Sequence, residues 1–131
     1  MKCLTVRFPY AQLIVSGLKT IETRSWSTDY RGELLIHTGR GHLFPPFEFL
    51  PMLEKVADSL MRARGVILGK ATLMECRKLT PEDRSAALCN IDPSGYGWVL
   101  RDPVIFDEFV PRRGQQGLFE VEWPPPAEGK C

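Results

Sequence analysis

Residues 9–26, PYAQLIVSGLKTIETRSW, switch from helical to strand-like patterning within one short stretch. Pro9 suits the first turn of a helix, where its missing N–H costs nothing. Ala11, Leu13, Ile14 and Val15 fill about two turns with apolar side chains, and Gly17 is the residue that a helix C-terminal cap favours. From Leu18 to Arg24 the pattern becomes that of a strand, with Ile21 alternating against polar neighbours. Strand side chains alternate, so Thr20, Glu22, Arg24 and Trp26 are expected on one face, with Lys19, Ile21 and Thr23 on the other. Same-face neighbours lie about 6.5–7 Å apart, a spacing that one small polar ligand spans.

The flanking sequence supplies the other elements. CLTVR (3–7) and ELLIHT (33–38) read as short strands, with an irregular crossing through Asp29 and Gly32 between them. GRGHLFPP is a loop by its glycine and proline content. FEFLPMLEKVADSLMRA (47–63) spaces Leu50, Leu53, Val56, Ala57 and Leu60 as a helix that starts or bends near Pro51. GVILGKATLMECRKL reads as one long strand, in which Gly69 marks a bulge or a close backbone approach. TPEDRSAAL opens a short helix with a threonine cap and two acids in the first turn. GYGWVL and VIFDEFV are expected as two strands around a turn at Asp102 and Pro103. After the polar loop PRRGQQG, LFEVEW forms a last strand, and 124–131 is expected to be a flexible proline-rich tail.

Six or seven short strands with two or three helices between them predict an α+β fold, a small, mostly antiparallel β-barrel with the helices packed on it. A doubly wound parallel sheet would need more regular strand–helix alternation. The 131 residues fit one domain, expected over 1–123. Net charge is +1, which argues against coating nucleic acid by bulk charge, although residues before Gly65 hold 9 basic against 6 acidic side chains. Cys3, Cys76, Cys89 and Cys131 show no regular spacing and read as reduced thiols. His37 and His42 lack metal-ligand spacing, so neither a metal nor a cofactor is expected. No apolar run approaches the ~20 residues that cross a bilayer, and the expected location is cytoplasmic with no membrane partner.

LTVRFPYAQLIVSGLKTIETRSW, YRGELLIHTG, GVILGKATL, GYGWVL and RRGQQGLF together resemble an ASCH domain, a family of the PUA-like superfamily of small β-barrels. The resemblance runs from about Cys3 to Trp123. It implies a cleft beside the ETR strand and ligands among RNA, nucleosides and nucleotides. Some short ASCH-like proteins are amidohydrolases that deacylate modified cytidine, others are ascribed ribonuclease activity, and others are fused to transcription machinery. This sequence departs from the pattern in two places. Phe8 stands where many members have glutamine, and Glu22 stands where the cytidine deacylases have a nucleophilic threonine, while Lys19 matches their catalytic lysine.

The candidate ligand-binding residues are Tyr10, Lys19, Glu22, Arg24, Trp26, Arg31, Arg113, Gln115 and Gln116. Glutamate accepts a hydrogen bond from an exocyclic amine, arginine grips phosphate or stacks on a base, and tryptophan offers a ring face worth roughly 1–3 kcal/mol to an unstacked base. The bland reading is a self-neutralising Glu22–Arg24 pair on a solvated face, worth ~0–1 kcal/mol, with Trp26 in the core. The loop with Arg112, Arg113, Gln115 and Gln116 suits phosphate contact or plain solvation. His37 is expected as a hydrogen-bonded core histidine, and Lys70 as a strand-face residue. For an enzyme, Lys19 and Glu22 would be catalytic, with a Thr20–Glu22 pairing as one arrangement. The leading reading is an RNA- or nucleotide-binding protein. A nucleoside or RNA hydrolase is the alternative, and an adaptor with a protein partner, using the helix near 51–63 and the tail, is the third.

Overall fold

The Pro9–Gly17 segment folds as its sequence asks. In the computed structural model, which describes residues 1–126, helix α1 spans Tyr10–Val15 and all six of its residues are buried. Pro9 precedes it as the N-cap. Gly17, at φ +79°, ends it in a left-handed turn, where Gly17 N–H bonds Ile14 O and Leu18 N–H bonds Leu13 O, each at 3.0 Å. These are the paired bonds of a Schellman cap.

Six strands form one sheet: β1 (Lys2–Phe8), β2 (Ile21–Arg24), β3 (Gly32–His42), β4 (Val66–Lys78), β5 (Tyr96–Pro111) and β6 (Leu118–Glu120). Their order is β2-β5-β4-β3-β1-β6. Every neighbouring pair is antiparallel except β1 and β3, which run parallel. A parallel pair needs a crossover, and α1 with β2 provides it. The expected α+β, mostly antiparallel character holds, but the expected barrel is corrected to an open sheet, whose edges are the four-residue β2 and the three-residue β6. On a flat sheet β1 and β2 would stand four strand spacings apart, roughly 19 Å. Yet Arg24 Nη2 on β2 donates to Thr5 O on β1 at 2.7 Å. The sheet is strongly curled, and β1 and β2 face each other across a seam that no backbone ladder closes.

Both faces of the sheet are packed. Leu4, Val6, Leu34, Ile36 and Leu68 meet α1 and Trp98 on one side, while Cys3, Leu35, Ile67 and Phe119 form a second cluster on the other. Burial pushes the Cys3 thiol up to about 12, as befits a core side chain. Gly69 meets the expected close approach, since a Cβ there would sit 1.9 Å from Val104 O, and the β4–β5 register shifts beside it.

Several element boundaries differ from the sequence reading. The helix expected over 47–63 is a 3-10 segment, Phe47–Lys55, followed by the short α2, Asp58–Met61. Pro51 lacks an N–H for an α-helical ladder, and Val56 and Ala57 are extended. GYGWVL and VIFDEFV are one strand, bent at Asp102 with φ +52°, rather than two. The last strand ends at Glu120, and β3 runs on to His42 into the expected loop. In the TPEDRSAAL segment a 3-10 turn, Pro81–Asp83, leads into α3, Arg84–Ala87. Of the tail, residues 127–131 lie outside the described residues. No helix among the described residues is long and apolar enough to cross a membrane.

Candidate functional site

The seam between β1 and β2 is a cleft of about 1140 Å³. Its walls come from Thr5, Val6 and Arg7 on β1 and from Glu22 through Trp26 at β2, with Gln115 and Gln116 on one lip. Tyr10 and Lys19 line its inner end.

Lys19 reaches that position through the cap of α1. Its backbone N–H joins Leu18 in bonding Leu13 O, so the chain turns sharply before β2 begins at Ile21. The side chain is only 2% exposed. Its Nζ donates to Ala87 O, lies 4.7 Å from the centroid of the Tyr10 ring and stands 3.6 Å from Glu22 Oε1. Three successive carbonyls at the end of α3 shape this corner. Ala86 O accepts Thr20 N–H, Ala87 O accepts the lysine, and Leu88 O accepts Tyr10 Oη–H at 3.3 Å. A helix end leaves such carbonyls without intrahelical donors, which makes them ready acceptors. Burial pulls the Lys19 amine below its usual range against the opposing pull of Glu22, and burial lifts the Tyr10 phenol to about 12.

The expected strand alternation is corrected here. Strand alternation puts Lys19 and Glu22 on opposite faces, but it holds only inside a strand and Lys19 precedes β2. Thr20 is exposed, with its backbone tied to Ala86 and Leu100, and it lines a separate small pocket with Arg101 and Asp102. The Thr20–Glu22 pairing therefore does not form.

Glu22 is 6% exposed. Its Oε2 accepts from Arg24 Nε at 3.0 Å and contacts Arg24 Nη2 at 2.9 Å. Its Oε1 stands 3.6 Å from Lys19 Nζ and makes no shorter side-chain contact among the described residues. Arg24 spans the seam to Thr5 O through Nη2 and leaves Nη1 without a partner among the described residues. Trp26 both lines the cleft and packs edge-on against the buried Trp98, with centroids 4.8 Å apart and planes at 84°. The core and platform readings of this side chain are compatible.

The seam thus gathers Tyr10, Lys19, Glu22, Arg24, Trp26, Gln115 and Gln116. Arg31 and Arg113 do not line it. Arg31 is exposed and donates to Thr28 O and Tyr30 O, and Arg113 is exposed on its loop. His37 is buried and bonded to Thr5 Oγ1 at 3.1 Å and Arg112 O at 2.6 Å, as a core histidine. Lys70 pairs with Glu33 across the β3–β4 ladder. Sequence reasoning missed Thr5, Arg7, Leu43, Phe44, Pro46, Cys89 and Asn90, which also line the cleft. Of these only LFPP carried a signal, an apolar run in a segment otherwise read as loop. Among the described residues no group of three His, Cys, Asp or Glu side chains is placed to hold a metal ion.

Comparison with known proteins matches the family and the fold. The sequence model of the ASCH domain covers residues 4–121. The chain belongs to the ASCH domain family. The fold of this ASCH domain is similar to the crystal structure of the ASCH protein of Zymomonas mobilis, with a TM-score of 0.63 and 14% identity over 93% of this chain and 87% of that one. A single-substitution variant of the same bacterial protein gives a TM-score of 0.60, covering 93% and 90%. A stretch of 34 residues is 53% identical to human activating signal cointegrator 1, and spans 26% of this chain but 6% of the human protein.

Proposed function

We propose that this ASCH domain binds RNA or a nucleotide in the seam cleft, with Glu22 and Arg24 as its polar floor. The observation that carries the reading is the unused bonding capacity of that floor. Burying an ion network is costly, and well-packed apolar side chains often serve stability as well or better. Here the network lines a cleft, where Glu22 Oε1 meets only the longer 3.6 Å contact of Lys19 Nζ and Arg24 Nη1 has no hydrogen-bond partner among the described residues. An acceptor beside a donor suits the edge of a base, with Arg24 also able to bond a phosphate oxygen. Trp26 and Tyr10 supply ring surface beside it.

The test is a fluorescence-anisotropy titration of short single-stranded and hairpin RNAs, at low and moderate salt, with wild type and Arg24→Ala. Salt-dependent binding that falls at least tenfold in a folded variant is the expected outcome. Equal binding by the two proteins would remove Arg24 from the site.

One observation favours a second reading, hydrolysis of an acylated cytidine or of RNA. Lys19 combines a lowered pKa with a position 3.6 Å from a carboxylate, which suits proton exchange with a substrate or a water. Turnover lost in both Lys19→Met and Glu22→Gln supports it, and turnover surviving both sinks it.

A further inference from the structure

The mouth of the cleft carries features that a single-nucleotide pocket does not use. Leu43, Phe44 and Pro46 line it, and the segment they belong to is unusually apolar for a surface. Leu43 is 54% exposed, Phe44 56% and Phe47 88%. Phe44 stands in an aromatic step, 6.1 Å from Phe8 edge-on and 5.7 Å from His42. Being more than half exposed, it keeps ring surface open to solvent.

Guanidinium groups border the same step. Arg64 lies over the Phe8 ring, with Cζ 3.5 Å from its centroid. Arg40 stands beside Gly65, whose added Cβ would come 3.7 Å from its Nη2, and Arg7 lies on the cleft wall. Arg7, Arg40 and Arg64 have no carboxylate partner among the described residues, as also holds for Arg31, Arg101, Arg112 and Arg113, and Arg64 Nη1 donates to Met61 O at 2.9 Å and Ala63 O at 2.7 Å. A chain of net charge +1 thus carries Arg7 on the cleft wall and Arg64 against Phe8, next to the apolar rim, with Arg40 beside the neighbouring Gly65. The cleft, at about 1140 Å³, also exceeds the roughly 300–1,000 Å³ of an ordinary small-molecule pocket.

We infer that the cleft is the inner end of a track for a single-stranded polynucleotide, in which Phe44 stacks the neighbouring base and Arg7, Arg40 and Arg64 hold the backbone phosphates. Alternating ring faces and guanidiniums suit a strand whose repeat alternates base and phosphate. A lone nucleoside would leave both sets unused. The inference rests on the nucleotide reading of the seam and extends it from one unit to several.

The test compares cytidine 5′-monophosphate with hexacytidylate and its deoxy counterpart, on wild type, Phe44→Ala and the double variant Arg40→Gln/Arg64→Gln. The hexamer is expected to bind at least tenfold more tightly than the mononucleotide, with a log–log salt slope near −2 for about three phosphates on a single strand. Phe44→Ala is expected to cost the hexamer roughly tenfold and the mononucleotide nothing. The double variant is expected to flatten the slope by about 1.4. A gain confined to the ribose hexamer assigns the track to RNA, and an equal gain assigns it to either sugar. Mononucleotide binding that depends on Arg24, with no gain for either hexamer, overturns the track alone and leaves the rim as a protein-facing surface. Failure of every probe overturns the track and the cleft reading together. The substituted side chains are solvent-exposed, and circular dichroism confirms that each variant is folded.

Discussion

Two carboxylates in this molecule are buried to the same extent and do different work. Glu22 and Asp83 are each 6% exposed, and each faces an arginine. Asp83 is saturated. Arg77 donates to both its oxygens, at 2.8 and 2.9 Å, and Thr80 N–H donates to Oδ2 at 2.9 Å, closing a capping box over the turn before α3. The Arg77 hydrogen bonds hold the Asp83 carboxyl down at about 2. Glu22 is half-used, with Arg24 on one oxygen and the other facing the seam. A saturated buried carboxylate serves local structure, whereas one with an oxygen toward a cleft fits the proposed ligand contact.

The comparison breaks most visibly at Asp83. Asp83→Ala removes two charge-assisted bonds and a cap, and is expected to cost about 2–3 kcal/mol in urea denaturation while leaving nucleotide affinity per folded molecule unchanged. The same variant should lose an acid-stability slope. Because the folded pKa lies below the usual 3.8, the unfolded chain takes up the proton first, so stability present above about pH 4 is lost as pH falls toward 2. A drop in affinity matching the drop in stability would merge the two regions into one.

Glu22→Gln sharpens the contrast from the other side. It keeps the shape, and is expected to change stability by under about 1 kcal/mol but to weaken nucleotide binding about tenfold, read by calorimetric titration. A large loss of stability with affinity retained would make Glu22 a second Asp83.

His37 provides the smallest effect. Both its ring nitrogens are engaged, by Thr5 and by Arg112, and burial holds its pKa below the usual 6.5. The folded chain therefore resists a proton that the unfolded chain accepts. Stability is full above pH 6.5 and declines as pH falls through that value toward the lower folded pKa. The decline should vanish in His37→Gln, and persistence of the same slope would move its origin to another group.

Much of the fold was legible because its signals are local. Gly17 had to stop α1, since the turn it occupies has a positive φ that glycine adopts without strain. Gly69 had to be small, because a backbone carbonyl fills the space a side chain would take. Trp26 and Glu22 were legible as candidates from residue type alone. Lys19 was misplaced for a local reason too, since alternation was extended two residues beyond the start of the strand. Arg7 carried no such signal and Phe44 showed only as part of the apolar run LFPP, since elements far away in sequence bring both to the cleft.

The amino-acid order alone determined the helix–glycine–strand run, the strand character of β1, β3 and β4 and the family to which they belong, because capping, residue type and backbone sterics act over a few residues. Only the tertiary structure decided that β1 pairs parallel with β3, that the sheet curls without closing, and that Arg24 bridges the gap to Thr5. Those outcomes depend on strand pairing and core packing between segments tens of residues apart. Where they left a seam, they also placed the cleft.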